Sequence, residues 1–377
     1  MKDRIYLSSP HMGGNEIKYI NEAFEENWIA PLGPNVSNFE KEICKYTNAS
    51  YATALASGTS AIHLALKSLG VKSKDLVFCS SLTFSATANP ITYLGATPVF
   101  IDSDYESWNM SHIALQKAFD YFLENDKKPK AVVIVNLYGQ SADYDKLKKI
   151  CDKYEVPIIE DAAESLGATY KGKYSGTVGD IGIYSFNGNK IITTSGGGML
   201  VSNIEKYTKK ALFWATQSRE NERHYEHKEI GYNYRMSNIC AGIGRGQLEV
   251  IEDRISKKKQ IYELYKEGFK DIKEIQMMNI CDYGRSNYWL SVMTIDKNSK
   301  VKPIDIILAL EKENIESRPV WKPMHMQPIF KDYKFFSTLE NQSVSEDLFN
   351  QGVCLPSDTK NSLSDFKYII DIIKKLF

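Results

Sequence analysis

The chain has 377 residues, which at roughly 150 residues per domain leaves room for two or three domains. Lys and Arg number 47 and Asp and Glu number 47, so no net field exists to hold nucleic acid or an anionic membrane. A hydrophobic fraction of 43% and a charged fraction of 25% are globular values and exclude a disordered or coiled-coil chain. Along the chain, Asn15 is placed to cap a helix that carries Ile17, Ile20 and Phe24 on one face. After a Pro- and Gly-containing loop at 29–34, a second helix carries Val36, Phe39, Ile43 and Tyr46. The pattern then alternates. Apolar runs at 51–56, 76–79, 98–101, 131–135 and 156–159 read as strands, with helical patterns at 59–69, 86–94, 113–123 and 144–154 between them. Strands that are apolar throughout and separated by helices predict a mainly parallel sheet covered on both faces.

Runs at 182–186 and 198–202 follow with no helix between them, so one of these strands is expected to be antiparallel to its neighbours. A helix at 204–215, a polar stretch at 217–235 and a long helical pattern at 238–269 come next. The second half of that helix, 253–270, is charged enough to be expected on the surface, linking two domains. A smaller α/β unit closes the chain, with strands at 288–295 and 315–320 and helices at 303–313, 344–351 and 363–377. The expected fold class is α/β: a mixed, mainly parallel sheet in a large domain (1–250, with an N-terminal arm), then a linker helix and a smaller C-terminal α/β domain (251–377). The six cysteines stand singly, without a C-x-x-C pair, so neither a zinc ribbon nor a redox motif is expected. With no apolar run behind the first charges and no stretch of about 18 apolar residues, the expectation is a cytoplasmic chain with reduced thiols.

Four segments sit where an open α/β sheet places ligands, at or beyond strand ends. Ser57-Gly58-Thr59-Ser60-Ala61 opens a helix with small residues, whose free amides suit an anion; an ordinary helix cap is the alternative. The run Val156–Glu164 ends a buried strand in carboxylates, Glu160, Asp161 and Glu164. Without a G-x-x-x-x-G-K-[ST] motif these do not make a nucleotide triphosphatase, which leaves pairing with a ligand cation or capping of a turn. Lys190 follows a strand end and precedes Gly196-Gly197-Gly198, a setting in which an amine can lose its charge and act as a nucleophile. Gly231-Tyr232-Asn233-Tyr234-Arg235 precedes the long helix, with Ser237 as its N-cap. A phosphate cradle, a sheet-edge acid and a strand-end lysine are together what pyridoxal 5'-phosphate requires of a protein.

The sequence resembles the DegT/StrS sugar aminotransferases of the fold-type I pyridoxal phosphate (PLP) superfamily over essentially its whole length. The segments that carry the likeness are Ser57–Ala61, Thr83-Phe84, Glu160–Glu164, Ser185–Lys190, Gly231–Arg235 and Arg318–His325. Those at 7–14, 27–33, 187–198 and 224–227 resemble enzymes that aminate C4 of UDP-linked 4-keto-6-deoxy-N-acetylhexosamines in bacillosamine-type pathways. The resemblance implies that Lys190 bonds covalently to the cofactor and that Asp161 pairs with its ring nitrogen. Phe84 is implied on the ring face, and Gly58, Thr59 and Ser185 at the phosphate, joined by Asn233 from the other subunit of a homodimer with shared active sites. Glu164 is implied as a further cofactor contact, and Trp28, Ile29, Arg318 and His325 as the sugar-nucleotide pocket. No metal is implied. L-glutamate is the implied amino donor, its nitrogen passing through the cofactor (PLP and its amine form, PMP) to the ketone of the nucleotide sugar, with Lys190 moving the proton. Two other readings stand beside this one: a dTDP- or GDP-linked ketosugar aminated at C3 or C4, and a non-catalytic PLP-fold sensor.

Overall fold

Apolar runs that alternate with helices do assemble into one twisted sheet. The computed structural model describes residues 3–377. Its main sheet is built from β1 (Tyr51–Leu55), β2 (Leu76–Ser80), β3 (Thr97–Ile101), β4 (Ala131–Val135), β5 (Ile158–Asp161), β6 (Ile181–Ser185) and β7 (Gly198–Ser202). The strand order is β1-β7-β6-β5-β4-β2-β3, and Phe335–Phe336 add a short parallel strand beyond β3. The strands from β3 across to β6 pair in parallel. β7 runs antiparallel to both β1 and β6, the reversal expected of two strands with no crossover helix between them.

Successive residues of a strand face opposite sides of the sheet, and both sides here are apolar. Val77, Phe100 and Val133 join one core, while Phe78, Val99, Val132 and Ile134 join the other. Every residue of β4 and β7 is buried, which explains why their sequences show no polar alternation.

The N-terminal helix α1 (Glu16–Glu25) corrects one expectation. Asn15 makes no side-chain cap; its amide donates to Glu249 at 2.6 Å, and the Glu16 carboxylate accepts from the Gly13 and Gly14 amides instead. Ala23 is buried, but Ile17 and Phe24 face outward, 63% and 62% exposed. Helix α2 (Pro34–Thr47) buries Val36, Phe39 and Ile43 as its spacing predicts. Helix α3 (Gly58–Ser68) follows β1.

The long helical pattern divides into α4 (Asn238–Leu248), capped by Ser237 as expected, and α5 (Ile251–Phe269). The second half of the pattern is no surface rod. α5 buries Arg254, Lys258, Ile261, Tyr265 and Phe269 on one face, and its charges are plentiful only on the other. Beyond it, β8 (Ile275–Met277), β9 (Ser291–Ile295), β10 (Arg318–Pro319) and β11 (Gly352–Leu355) form an antiparallel sheet in the order β8-β9-β11-β10. Ile261, Tyr265, Met293, Leu310, Val353 and Ile369 share an apolar core there. Two of its strands, β8 and β11, were not expected, and the runs at 288–295 and 315–320 are strand over only part of their length. The six cysteines are free thiols. Among the described residues no helix is long and apolar enough to cross a membrane.

Candidate active site

Three chain segments converge at the carboxyl ends of the parallel strands, where an open α/β sheet leaves a crevice. β5 ends at Asp161, β6 ends at Ser185, and α3 begins at Gly58. Between them lies a cavity of about 310 Å³ lined by Gly58, Thr59, Phe84, Asp161, Glu164, Ser185 and Lys190, together with Thr83, Thr87 and Trp321. Seven of the residues singled out in the sequence therefore meet in one place.

Asp161 sits on the cavity floor, 5% exposed, and both of its oxygens are held. Thr87 Oγ1 donates to Oδ2 at 2.6 Å, and the Ala163 amide donates to Oδ1 at 3.2 Å. A threonine has one hydroxyl proton. Because Thr87 spends its proton on Asp161, the 2.7 Å contact between Thr83 and Thr87 must have Thr83 as donor. Glu164 is held as firmly. It accepts from the Tyr138 amide at 2.8 Å and from Trp321 Nε1 at 3.2 Å, and it lies 3.8 Å from Lys190 Nζ. Tyr138 presents its amide from a left-handed backbone conformation, φ +50°.

The Lys190 side chain is 12% exposed, and its Nζ lies 4.1 Å from the centre of the Trp289 ring. Burial lowers its pKa, opposed by the charges of Glu164 and Asp161. Burial likewise raises the pKa of Asp161, opposed by Thr87, and of Glu164, opposed by Lys190. Desolvation prevails in all three groups and favours their neutral forms. An amine biased toward its free base is the form that can attack a carbonyl and accept a proton from carbon.

At the opposite end of the cavity, Ser57 is an N-cap in a capping box with Ser60, so its hydroxyl is committed to the helix. The amides of Gly58 and Thr59 fall in the first turn, where no intrahelical carbonyl can reach them. Close approach of three backbones keeps this turn open. A Cβ on Gly58 would come 3.2 Å from Ser185 Cβ, and one on Gly198 would lie 2.3 Å from the Ser57 carbonyl carbon. Free amides, a helix dipole and the Thr59 and Ser185 hydroxyls suit a phosphate. The residues present therefore fit pyridoxal phosphate at both its ring and its phosphate ends.

The other sequence-derived residues lie outside this cavity. Asn233 is exposed, on a segment that runs beside Thr216. Trp28 and Ile29 are also exposed, on a loop tied to α4 by Asn238, which donates to the Trp28 carbonyl at 3.0 Å. Arg318 is exposed and paired with Glu316 at 2.8 Å. His325 stacks on Phe335 at 3.6 Å between centroids, with contacts of 2.7 Å to Ser81 and 2.9 Å to Glu346. Glu160, beside Asp161, points away from the cavity and accepts from the Gly176, Val178 and Gly179 amides, fixing that loop. Thr87, Trp289 and Trp321 were not singled out. Trp321 stands inside a segment quoted for the resemblance, but no local pattern marks Trp289 as the floor under Lys190.

Residues 10–374 match the DegT/DnrJ/EryC1/StrS aminotransferase family. The chain belongs to this family. A relative in Bacillus subtilis (strain 168), EpsN, described as a candidate pyridoxal phosphate-dependent aminotransferase, is 52% identical over 377 residues, 100% of this chain and 97% of its own. The GDP-perosamine synthase of Escherichia coli O157:H7 is 36% identical over 374 residues, covering 99% of this chain and 98% of that one. Among solved structures, the PLP form of Spr1654 from Streptococcus pneumoniae, described as a candidate sugar aminotransferase, superposes with a TM-score of 0.90 at 26% identity and 100% coverage of both chains. This DegT-family chain is a sugar aminotransferase of fold type I and uses pyridoxal phosphate.

Proposed function

We propose that this enzyme moves an amino group from L-glutamate to C4 of a UDP-linked 4-keto-6-deoxy-N-acetylhexosamine, for bacterial glycan or exopolysaccharide synthesis in the cytoplasm. The observation that carries the reaction type is the meeting of Lys190, Asp161 and the open first turn of α3 in one cavity. When bound, pyridoxal phosphate withdraws electrons from the carbon that bears the transferred nitrogen, so that this carbon can exchange a proton. Lys190 is the residue to bond the cofactor and, once displaced, to carry that proton on Nζ. Asp161, held by Thr87 and the Ala163 amide, is the partner of the ring nitrogen. Glu164 and Phe84 flank the ring, Gly58, Thr59 and Ser185 take the phosphate, and the aromatic walls limit water.

Asn233, Trp28, Ile29, Arg318 and His325 do not reach the cavity within one chain, and a homodimer with shared sites accounts for the first three. Exposed Ile17, Phe24, Trp28, Ile29 and Leu32 give one stretch of sequence an unusual apolar surface, which fits a second copy. In this reading Asn233 completes the partner's phosphate site. A boundary near residue 250 separates the cofactor-binding domain from the smaller one.

The UDP-sugar reading rests on the segments at 7–14, 27–33, 187–198 and 224–227. Identity of 36% to a GDP-perosamine synthase favours a second reading, a GDP-linked ketosugar. Purified enzyme, L-glutamate and UDP-, GDP- and dTDP-linked 4-ketosugars, with product masses measured, separate them. Amination of the UDP sugar alone supports the first reading; preference for the GDP sugar replaces it with the second.

A further inference from the structure

Lys258 carries a charge into the interior, and the steps above make no use of it. Its side chain lies on the inner face of α5, and the residue is 3% exposed. Nζ donates to the carbonyls of Ser357 at 2.8 Å and Trp289 at 2.9 Å, and to the Ser8 hydroxyl at 3.4 Å. An ammonium in such a place is costly unless its donors are satisfied, and here three segments distant in sequence supply the acceptors. Two of them lead to one atom. Ser8 Oγ donates to the Asn189 carbonyl at 3.1 Å, and Trp289 Nε1 donates to the same oxygen at 2.7 Å. Asn189 precedes Lys190, and the Trp289 ring is the floor under the Lys190 amine. One turn before Lys258, Arg254 donates to the Met12 carbonyl at 3.1 Å, and the Ser9 amide donates to Asp358 at 3.1 Å, so the arm is pinned on both sides.

We propose that Lys258 is a positioning residue for Lys190, acting through the Trp289 main chain and the Ser8 hydroxyl on the Asn189 carbonyl and on the indole floor. The inference rests on Lys190 as the reacting amine. The charged groups that act on Lys258 are Asp358 and Arg254, and those that act on Lys190 are Glu164 and Asp161. The path between them is one of contacts: Lys258 bonds the Trp289 carbonyl and the Ser8 hydroxyl, and Ser8 and the Trp289 indole both bond the Asn189 carbonyl next to Lys190.

Acetic anhydride in trace amounts acylates only unprotonated amines and does not itself titrate, so its rate of reaction with Lys190 against pH gives that residue's midpoint in cofactor-free protein, read by peptide mass spectrometry. In Lys258→Met the indole contact loosens and the ammonium loses support, so the midpoint should fall by about one pH unit. In the holoenzyme kcat should fall about tenfold with KM for glutamate nearly unchanged. Trp289→Phe keeps a ring but loses the indole donor; it should shift the midpoint the same way, and the double variant should shift it no further than the larger single. If Lys258→Met does not fold, Ser8→Ala with Trp289→Phe makes the same comparison. A folded variant with an unmoved midpoint, or shifts that simply add, would overturn the proposal. Turnover that survives Lys190→Ala would instead overturn the assignment of the reacting amine.

Discussion

Replacing Thr87 by valine removes one hydroxyl from beneath the cofactor ring and little else. The hydrogen bond lost is the 2.6 Å donation to Asp161 Oδ2, leaving only the Ala163 amide on that carboxylate. A bond to a charged group contributes about 1.5–3 kcal/mol, which is about one to two pKa units. Its sign is fixed by the acceptor: Thr87 favours the ionised acid, so its removal adds to the upward shift that burial already imposes on Asp161. Asp161 would then lose its charge at a higher pH. The acid limb of the glutamate half-reaction, followed by cofactor absorbance in single turnovers, should move up by about one unit or more. Within that limb the rate should fall about tenfold or more. Thr83, buried and deprived of its acceptor, makes the variant less stable as well, so Thr87→Ser serves as the control that restores the donor. An unmoved acid limb with a rate within about twofold of the parent would refute the argument that Thr87 holds Asp161 ionised.

Three further outcomes are expected. Glu160→Gln places an amide donor against the loop amides of Gly176, Val178 and Gly179; it should cost about 2 kcal/mol or more, visible as a lower Tm in thermal unfolding. His63 is buried with Nε2 unpartnered among the described residues, and burial lowers its pKa from 6.5 to about 4. Below pH 6.5 the unfolded chain gains a proton that the folded one refuses until about pH 4, so stability falls over that window. His63→Phe should remove up to about 3 kcal/mol of this loss, measured by denaturant unfolding at pH 7 and pH 4.5. Mixing inactive Lys190→Ala with an impaired Asn233→Ala should restore part of the activity, because one site of the heterodimer keeps its own Lys190 and receives an intact Asn233. Confirmed heterodimers without recovery would count against the inter-subunit role.

The parallel strands were legible because both faces of the sheet are covered, so β4 appears as an unbroken apolar run and β5 as an apolar run that ends in carboxylates, each between helical patterns. β11 was not: Gly352-Val-Cys-Leu follows a helix directly, and Gly352 marks the end of that helix but leaves only a four-residue run, too short to show a strand period. The division of the long helix at Glu249-Val250 carries no Pro or Gly signal either. Charge content misplaced the second half of the pattern, because Lys258 and Arg254 are charged yet have main-chain carbonyls as buried acceptors. The apolar spacing of α1 reveals a face but not what covers it. Within the site, Lys190, Asp161 and the α3 turn were legible because each lies at a strand end or helix start with its own composition. Thr87 and Trp289 act through contacts across 74 and 100 residues, which no local pattern encodes.

The central claim is that Lys190 is the amine that bonds pyridoxal phosphate, and borohydride tests it most directly. Reduction of the holoenzyme followed by proteolysis and mass spectrometry should place the cofactor on the peptide that contains Lys190, and prior incubation with L-glutamate should diminish that label. A label on any other lysine, or none on Lys190 in an active preparation, would contradict the account.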